Sequence, residues 1–161
     1  MRIPIRILID EYQSHLYRIA FNICKNREDA EDIVQDTFLQ YHIANKEYDD
    51  ESHIRAWLIR VAINKSRNTL RSFWRKHRQS LESYMEELNF PDSQSEELFE
   101  AVMRLPEKQR TVIHLFYYED YSIKEIADIL KLSESNVKTR LTRGRAMLKD
   151  QLKEAWNDEQ S

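Results

Sequence analysis

The scarcity of glycine and proline constrains this chain more than any other feature of its sequence. Only one glycine and three prolines occur in 161 residues. An all-β fold needs a turn about every 8–12 residues, and tight turns draw heavily on glycine and proline. A phosphate-binding loop likewise needs several glycines. Both are therefore disfavoured, and an all-α chain is expected.

Size and composition place the chain among globular proteins. Its 25 Lys and Arg, 28 Asp and Glu and 41% hydrophobic residues fit one ordinary domain or two small ones. No stretch approaches the roughly 18 apolar residues of a spanning helix, and Met1-Arg2-Ile3-Pro4 leads into no signal-peptide segment. We therefore expect a cytoplasmic protein without membrane insertion. The single cysteine, Cys24, cannot form an internal disulfide and is expected in the core.

The net charge of −3 conceals three blocks of opposite sign. Residues 51–80 contain eight Lys or Arg and one acid, residues 81–103 contain seven acids without Lys or Arg, and residues 131–149 contain six bases and one acid. Basic blocks neutralise nucleic-acid phosphates, whereas an acidic block repels the same polymer or binds a basic channel. The alternative interpretation of each block is a solvated helix face.

Hydrophobic periodicity predicts three helices in the first half of the chain. Apolar residues from Ile5 to Ile23 recur at spacings of three and four, and this helix is expected to end near Lys25-Asn26. Asn26 is a suitable cap for the second helix. The predicted buried face of that helix comprises Ala30, Ile33, Val34, Thr37, Phe38 and Tyr41. Its opposite, acidic face carries Glu28, Asp32, Gln35 and Asp36.

The third helix is expected to follow a loop at 42–51 and to run to about Lys76. A basic, amide-bearing stripe lies on its face away from Trp57 and Val61. The stripe comprises Asn64, Arg67, Asn68, Arg71 and Arg75. Residues 80–95 have weak periodicity and are predicted to be a linker between domains at 1–79 and 96–161.

The second half is predicted to contain a helix-turn-helix. Pro106 suits the first turn of a helix that precedes this motif. Ser122-Ile123-Lys124-Glu125 is a capping-box pattern, and Ser133 suits the cap of the following helix. Gly144 lies on the inner face of that last helix, which indicates close packing. Its outer face presents groups that suit base edges and phosphates. These groups belong to Ser135, Asn136, Lys138, Thr139, Arg140 and Arg143.

The chain resembles bacterial sigma factors of the extracytoplasmic-function group, the minimal two-domain members of the sigma-70 family. The resemblance covers nearly the whole chain. It rests on Tyr17–Ala20, Asp29–Phe38, Trp57–Asn64, Leu105–Arg110 and Ser122–Leu148. A helix-turn-helix alone is a common pattern. The acidic second helix, the Trp-bearing basic helix and the linker occur here in the family's order, which makes the match specific.

The resemblance implies two small helical domains joined by an acidic linker, and a role in promoter-specific transcription initiation. Contacts with the β′ clamp coiled coil of core RNA polymerase are implied for Asp32, Gln35 and Asp36. Contacts with the minus-10 element are implied for Asn64, Arg67, Asn68 and Arg71. The loop at 42–51 is implied to capture a flipped minus-10 base. Minus-35 contacts are implied for the outer-face residues of the helix-turn-helix, from Ser135 to Arg143.

Further partners also follow from the resemblance alone. The second domain is implied to dock on the β flap of the polymerase, and the linker to thread its RNA-exit path. Members of the group are often held inactive, near the membrane, by an anti-sigma factor, so such a partner is implied here. In the holoenzyme the protein would associate with the nucleoid. No cofactor, metal or small-molecule substrate is expected.

The sequence departs from the family pattern at two places. Lys131 stands where the family usually has glycine in the turn, which predicts either strain or a shifted turn. Ser135-Asn136 stands where Gly-Thr is usual, so the preferred minus-35 sequence is open.

Two other functional classes are consistent with parts of the sequence. A stand-alone helix-turn-helix regulator would use the second half, but it leaves the acidic face of the second helix without a role. An enzyme would need a catalytic or metal constellation. The five histidines are scattered and no nucleophile motif appears, so no catalytic residue is predicted.

Overall fold

The computed structural model describes residues 1–76 and 92–160, with side chains at 1–69 and 92–153. All regular secondary structure in these ranges is helical, as the scarcity of glycine and proline predicted. The helices are α1 (Ile5–Cys24), α2 (Arg27–Ala44), α3 (Glu51–Lys76), α4 (Ser93–Met103), α5 (Glu107–Ile113), a π-helical turn (His114–Tyr118), α6 (Ile123–Leu130) and α7 (Glu134–Gln160). No helix within these ranges is both long and apolar enough to cross a membrane.

Helices α1, α2 and α3 pack against one another in the first of two compact units. The predicted apolar faces form its core, and the buried residues of α2 are the six that the periodicity predicted. Thr37 is compatible with burial because its hydroxyl donates to the Ile33 carbonyl at 2.7 Å. The hydroxyl of the buried Ser66 on α3 likewise donates to the Ala62 carbonyl at 2.7 Å. Cys24 is buried, as expected.

The helix ends of this unit follow local side-chain chemistry. The Asn26 side chain accepts a hydrogen bond from the Asp29 backbone N–H at 2.9 Å, which confirms the predicted cap. The predicted loop at 42–51 was too long at both ends. Helix α2 continues to Ala44, and α3 begins at Glu51. The loop is therefore 45–50, and Asn45 starts it in the left-handed region with φ of 47°.

Helices α4, α5 and α7 pack together in the second unit. Helix α4 starts at Ser93, where Asp92 accepts from the Ser95 N–H at 2.7 Å. Residues 93–95 are thus helical although they were predicted to be linker, and residues 77–91 lie outside the described ranges. Pro106 is the N-cap of α5, one position before the first turn where it was predicted.

A π-helical turn follows α5 and is fixed by a buried polar contact. The imidazole Nε2 of His114 lies 3.0 Å from the Glu119 carboxylate, and both side chains are largely buried. The same imidazole stacks on the ring of Tyr118 with centroids 5.4 Å apart. This turn leaves Tyr117 and Tyr118 about half exposed at the surface of the unit.

Both predicted caps of the helix-turn-helix are present. Ser122 and Glu125 exchange side-chain to backbone hydrogen bonds of 3.0 and 3.1 Å, which completes the capping box of α6. The Ser133 hydroxyl accepts from the Asn136 N–H at 3.0 Å at the start of α7. Between them Lys131 has a φ of 56°, and the Leu132 N–H donates to the Ala127 carbonyl at 3.0 Å. This is a Schellman ending in which a lysine occupies the usual glycine position.

Gly144 permits a close approach of α7 to α5. A Cβ atom added there would lie 3.0 Å from Ile113 Cγ1 and 3.4 Å from Gln109 Cβ. The predicted close packing is confirmed, and the neighbouring helix is α5. The only glycine of the chain is therefore used for packing inside a helix, where its missing side chain matters more than its backbone freedom.

Candidate functional site

The exposed face of α2 carries the acidic and polar residues that the periodicity placed there. Asp32, Gln35 and Asp36 are all exposed, while the opposite face of the helix is buried in the three-helix unit. The face continues toward the C-terminal end of α2 with two apolar side chains. Leu39 is 53% exposed and Ile43 is 69% exposed. These five residues, 32, 35, 36, 39 and 43, are called the α2 surface below.

Leu39 and Ile43 were missed by the sequence analysis. Their spacing from Asp32 and Asp36 puts them on the same helical face, which is a signal that the sequence does contain. Apolar side chains this exposed at one end of an acidic face are typical of a surface that binds a protein.

Acidic crowding near the start of α2 affects the titration of Asp29. Partial burial raises the pKa of its carboxyl, and the negative charges of Asp32 and Glu28 raise it further. Glu28 and Asp29 lie in the first turn of α2, where the positive end of the helix dipole favours negative charge.

The amide-bearing stripe lies on α3 of the same three-helix unit. Asn64 and Asn68 are exposed, and Arg67 is half-buried. Arg71 also lies on α3, one turn further along, where the backbone alone is described. The stripe therefore presents hydrogen-bond donors and acceptors together with guanidinium charge, a combination that suits unpaired bases and their backbone.

The loop 45–50 is anchored by one aromatic residue. Tyr48 is 2% exposed, whereas the other five loop residues are exposed. Its ring stacks on Tyr41 at a centroid distance of 5.6 Å and meets Trp57 edge-on at 5.9 Å. Sequence reasoning did not predict this cluster because it joins α2, the loop and α3 through long-range contacts.

The outer face of α7 presents the residues predicted to read DNA. Ser135, Asn136, Lys138, Thr139 and Arg143 are exposed and Arg140 is half-buried. Arg140 donates from Nε to the Asn136 side-chain oxygen at 3.0 Å. The Thr139 hydroxyl donates to the Ser135 carbonyl, also at 3.0 Å. Two of these side chains are thus held in position before any ligand binds, which lowers the entropy cost of recognition.

The second unit also carries an apolar groove of about 830 Å³. Its walls include Leu98 of α4, Ile113 of α5, Tyr117 and Tyr118 of the π-helical turn, and Leu148 of α7. Arg145 stands at its edge and donates to the Tyr117 hydroxyl. The sequence analysis did not predict a groove, because the groove depends on the π-helical turn.

Two known sequence families match separate parts of the chain. Residues 8–78 match sigma-70 region 2, and residues 95–148 match region 4 of the sigma-70 family. The first match contains the α2 surface and the stripe on α3. The second begins inside α4 at Ser95, contains α5 and α6, and ends inside α7 at Leu148.

Relatives of known name match over almost their whole length. The chain is 30% identical to the extracytoplasmic-function (ECF) RNA polymerase sigma factor SigM of Bacillus subtilis, over 92% of this chain and 94% of the relative. It is 27% identical to SigW of the same organism, over 91% and 88%. Such coverage is not expected for a stand-alone regulator that shares only the helix-turn-helix.

Two solved structures share the fold. One is the sigma factor RpoE of Bartonella quintana, solved in complex with the anti-sigma factor NepR, with a TM-score of 0.75, 21% identity and coverage of 92% of this chain and 96% of that one. The other is CnrH in complex with the cytosolic domain of CnrY, with a TM-score of 0.69, 27% identity and coverage of 92% and 87%. The chain therefore belongs to the extracytoplasmic-function sigma factors, a group of non-enzymatic transcription initiation factors within the sigma-70 family.

Proposed function

We propose that this protein binds bacterial core RNA polymerase through the α2 surface and directs it to promoters. The observation that carries the proposal is the composition of that surface: Asp32, Gln35 and Asp36 are exposed beside the exposed apolar residues Leu39 and Ile43. Acidic groups favour a basic partner and speed its association, while the apolar end supplies area that gains free energy when it is buried. The β′ clamp coiled coil is the partner we assign to this surface.

The stripe on α3 and the loop 45–50 are proposed to bind the minus-10 element. Their residues lie on the same three-helix unit as the α2 surface. Amide groups of Asn64 and Asn68 suit the edges of an unpaired base, and the guanidiniums of Arg67 and Arg71 suit phosphate. The loop would receive one base flipped from the non-template strand, in exchange for the stacking lost in the duplex.

The outer face of α7 is proposed to read the minus-35 element in the major groove. Arg140 and Arg143 suit guanine or phosphate, and Asn136 suits adenine. Since Ser135 and Asn136 replace the usual Gly-Thr pair, the preferred sequence is expected to differ from that of relatives. Ser135, Lys138 and Thr139 would position the helix through phosphate contacts.

The domain assignment completes the proposal. Residues 1–79 are proposed to form the domain that binds the clamp and the minus-10 element, and the chain from α4 onward the domain that reads the minus-35 element and docks on the β flap, with the connection ending before Ser93. An anti-sigma factor is a further proposed partner. The two solved sigma factors of this fold support it, because each was solved with a second protein bound.

Run-off transcription with purified core polymerase on a pool of genomic promoters tests the central proposal. The protein is expected to produce discrete new start sites, and Asp32→Ala/Asp36→Ala is expected to abolish them. The matched control is Asp10→Ala/Asp150→Ala, which removes two exposed acids outside the α2 surface. Equal activity of both double variants would contradict the assignment of the α2 surface. Absence of any start site that depends on core polymerase would contradict the function itself.

A further inference from the structure

Arg2 contacts the end of α2 and the loop 45–50 at the same time. One guanidinium nitrogen, Nη2, donates to the carbonyls of Tyr41 and His42 at 3.1 and 3.2 Å. The other, Nη1, donates to the carbonyl of Lys46 at 3.4 Å. The guanidinium plane also lies over the ring of Tyr41, with Cζ 4.6 Å from its centroid. A single side chain thus connects α2, the loop and the aromatic cluster below the loop.

These acceptors are groups that the helix itself leaves without partners. The last four carbonyls of an α-helix have no intrahelical donor, and the carbonyls of Tyr41 and His42 belong to the last four of α2. A cation at this end also complements the negative pole of the helix dipole. Only a planar, forked donor can bond two successive carbonyls and stack on a ring together, so arginine suits the position and lysine does not.

The loop also contacts the N-terminal residue: the Met1 ammonium lies 2.7 Å from the Glu47 carboxylate and donates to the Tyr48 carbonyl at 2.7 Å. Asn45 leaves α2 in the left-handed region, and Lys46 and Glu47 are exposed. Tyr48 anchors the far end through its ring, and its backbone N–H donates to the Met1 carbonyl at 3.0 Å. Its buried hydroxyl has no hydrogen-bond partner among the described residues. Arg2 therefore supplies the contact at the Lys46 carbonyl, while Met1 holds the two residues that follow it.

We propose that Arg2 is a positioning residue that holds the loop 45–50 in the conformation that receives the unpaired minus-10 base. Arg2 contacts backbone carbonyls and the Tyr41 ring, so it acts through the loop and touches no DNA. The proposal rests on the proposed function of the loop. Without the guanidinium the loop loses its contact at Lys46, and base capture must then order a chain segment that is already ordered in the native protein.

The experiment measures holoenzyme binding to a promoter recovered by the run-off assay. The probe is a fork-junction duplex whose non-template strand is single-stranded across the minus-10 element, with a series of copies that each carry one abasic site. The native protein is expected to lose affinity sharply at one abasic position, the captured base. Arg2→Ala and Arg2→Lys are each expected to bind the intact probe about tenfold more weakly, the effect of one or two lost charge-assisted hydrogen bonds.

The abasic series separates positioning from general stabilisation. In both Arg2 variants the critical abasic site is expected to cost no further affinity, because capture is already lost. The melting temperature should fall modestly, because the carbonyls at the end of α2 lose their donor, but binding to core polymerase should change little. Arg6→Ala is the matched control, since Arg6 is an exposed arginine on α1 whose removal changes the charge equally. This variant should behave like the native protein on every probe.

Each contrary result overturns a distinct claim. If the native holoenzyme shows no critical abasic position, or no promoter is recovered, the proposed function of the loop fails and the role of Arg2 with it. If the native protein discriminates and Arg2→Ala discriminates equally, the proposed function stands and the positioning role is wrong. If Arg2→Ala lowers affinity for core polymerase and for DNA by the same factor, Arg2 serves the fold alone and the proposal is also wrong.

Discussion

Within residues 1–76 and 92–160, four residues adopt a left-handed backbone conformation, and none of them is glycine. They are Lys25, Asn45, Asp120 and Lys131. Asparagine and aspartate tolerate this region because their short polar side chains bond locally, whereas a lysine Cβ lies close to its own backbone. At Lys131 the expectation of strain or a shifted turn is resolved: the turn keeps the Schellman geometry, and lysine takes the strained conformation within it.

The first prediction at the residue scale concerns this turn. Lys131→Gly is expected to raise the free energy of unfolding by about 1 kcal/mol, because glycine adopts a positive φ without the Cβ penalty. Chemical denaturation of the full chain measures the change. Lys149→Gly is the control: it also removes an exposed lysine, but from the interior of α7, so it should lower stability. A Lys131→Gly variant no more stable than the native protein would contradict the assigned strain.

The second prediction compares two stacked, buried tyrosines. The Tyr41 hydroxyl accepts from the Ile3 N–H at 3.0 Å and donates to the Ile3 carbonyl at 2.8 Å, while the Tyr48 hydroxyl is buried without a partner. Tyr48→Phe should therefore leave stability unchanged or raise it by about 1 kcal/mol. Tyr41→Phe should lower it by about 1–2 kcal/mol. Thermal denaturation of both variants is the measurement, and equal losses in the two would contradict the assignment.

At the scale of the element, helix α2 has one face buried in the three-helix unit and one face exposed to solvent. Its buried face matches the periodicity residue by residue, and its outer face carries the exposed acids Asp32 and Asp36. Folding raises the pKa of the Asp29 carboxyl. Between the unfolded and the folded pKa of this group, the folded protein therefore binds more protons than the unfolded chain. Stability from this group therefore falls as the pH rises.

The contact between α5 and α7 supplies a prediction at this scale. Gly144→Val is expected to lower the free energy of unfolding by about 2–3 kcal/mol, because the side chain would overlap Ile113, which is 1% exposed. Urea denaturation measures the loss. The double variant Gly144→Val/Ile113→Ala should lose less free energy of unfolding than the sum of the losses in the two single variants. The cavity that Ile113→Ala leaves can accommodate the valine side chain. Strictly additive losses would show that the two residues do not share this space.

At the scale of the whole molecule, charge separation matters more than the net charge of −3. Two basic blocks suit DNA and one acidic block opposes it. Opening about ten base-pair steps needs on the order of 14 kcal/mol at roughly 1.4 kcal/mol per step. Stacking of captured bases returns about 1–3 kcal/mol each. Capture of the single base proposed for the loop returns less than this cost, so we expect contacts made by the polymerase to supply the difference.

Permanganate reactivity of unpaired thymines tests whether promoter opening requires the polymerase. The free protein is expected to leave a promoter duplex unreactive at every concentration, whereas the holoenzyme exposes thymines in the minus-10 element. Asn64→Ala/Asn68→Ala should reduce that exposure in the holoenzyme, because the variant lacks the amides that we propose to hold the opened strand. Reactivity induced by the free protein would contradict the energy comparison. Unchanged reactivity in the double variant would contradict the role of the stripe.

The sequence by itself determined most of the local structure. Helical class, the buried faces and the caps at Asn26, Ser122 and Ser133 follow from short-range spacing and hydrogen bonding, which act within one or two turns. The exposed candidate residues on α2, α3 and α7 follow from the same periodicity, because a helix that buries one face exposes the other.

Only the tertiary structure decided the rest. The aromatic cluster at Tyr48, the contacts of Arg2 with α2 and the fit of Gly144 against Ile113 join residues that lie far apart in the chain. Their pairing depends on how the helices pack, and no local spacing encodes it. The groove beside the π-helical turn has the same origin, since its walls come from four separate elements.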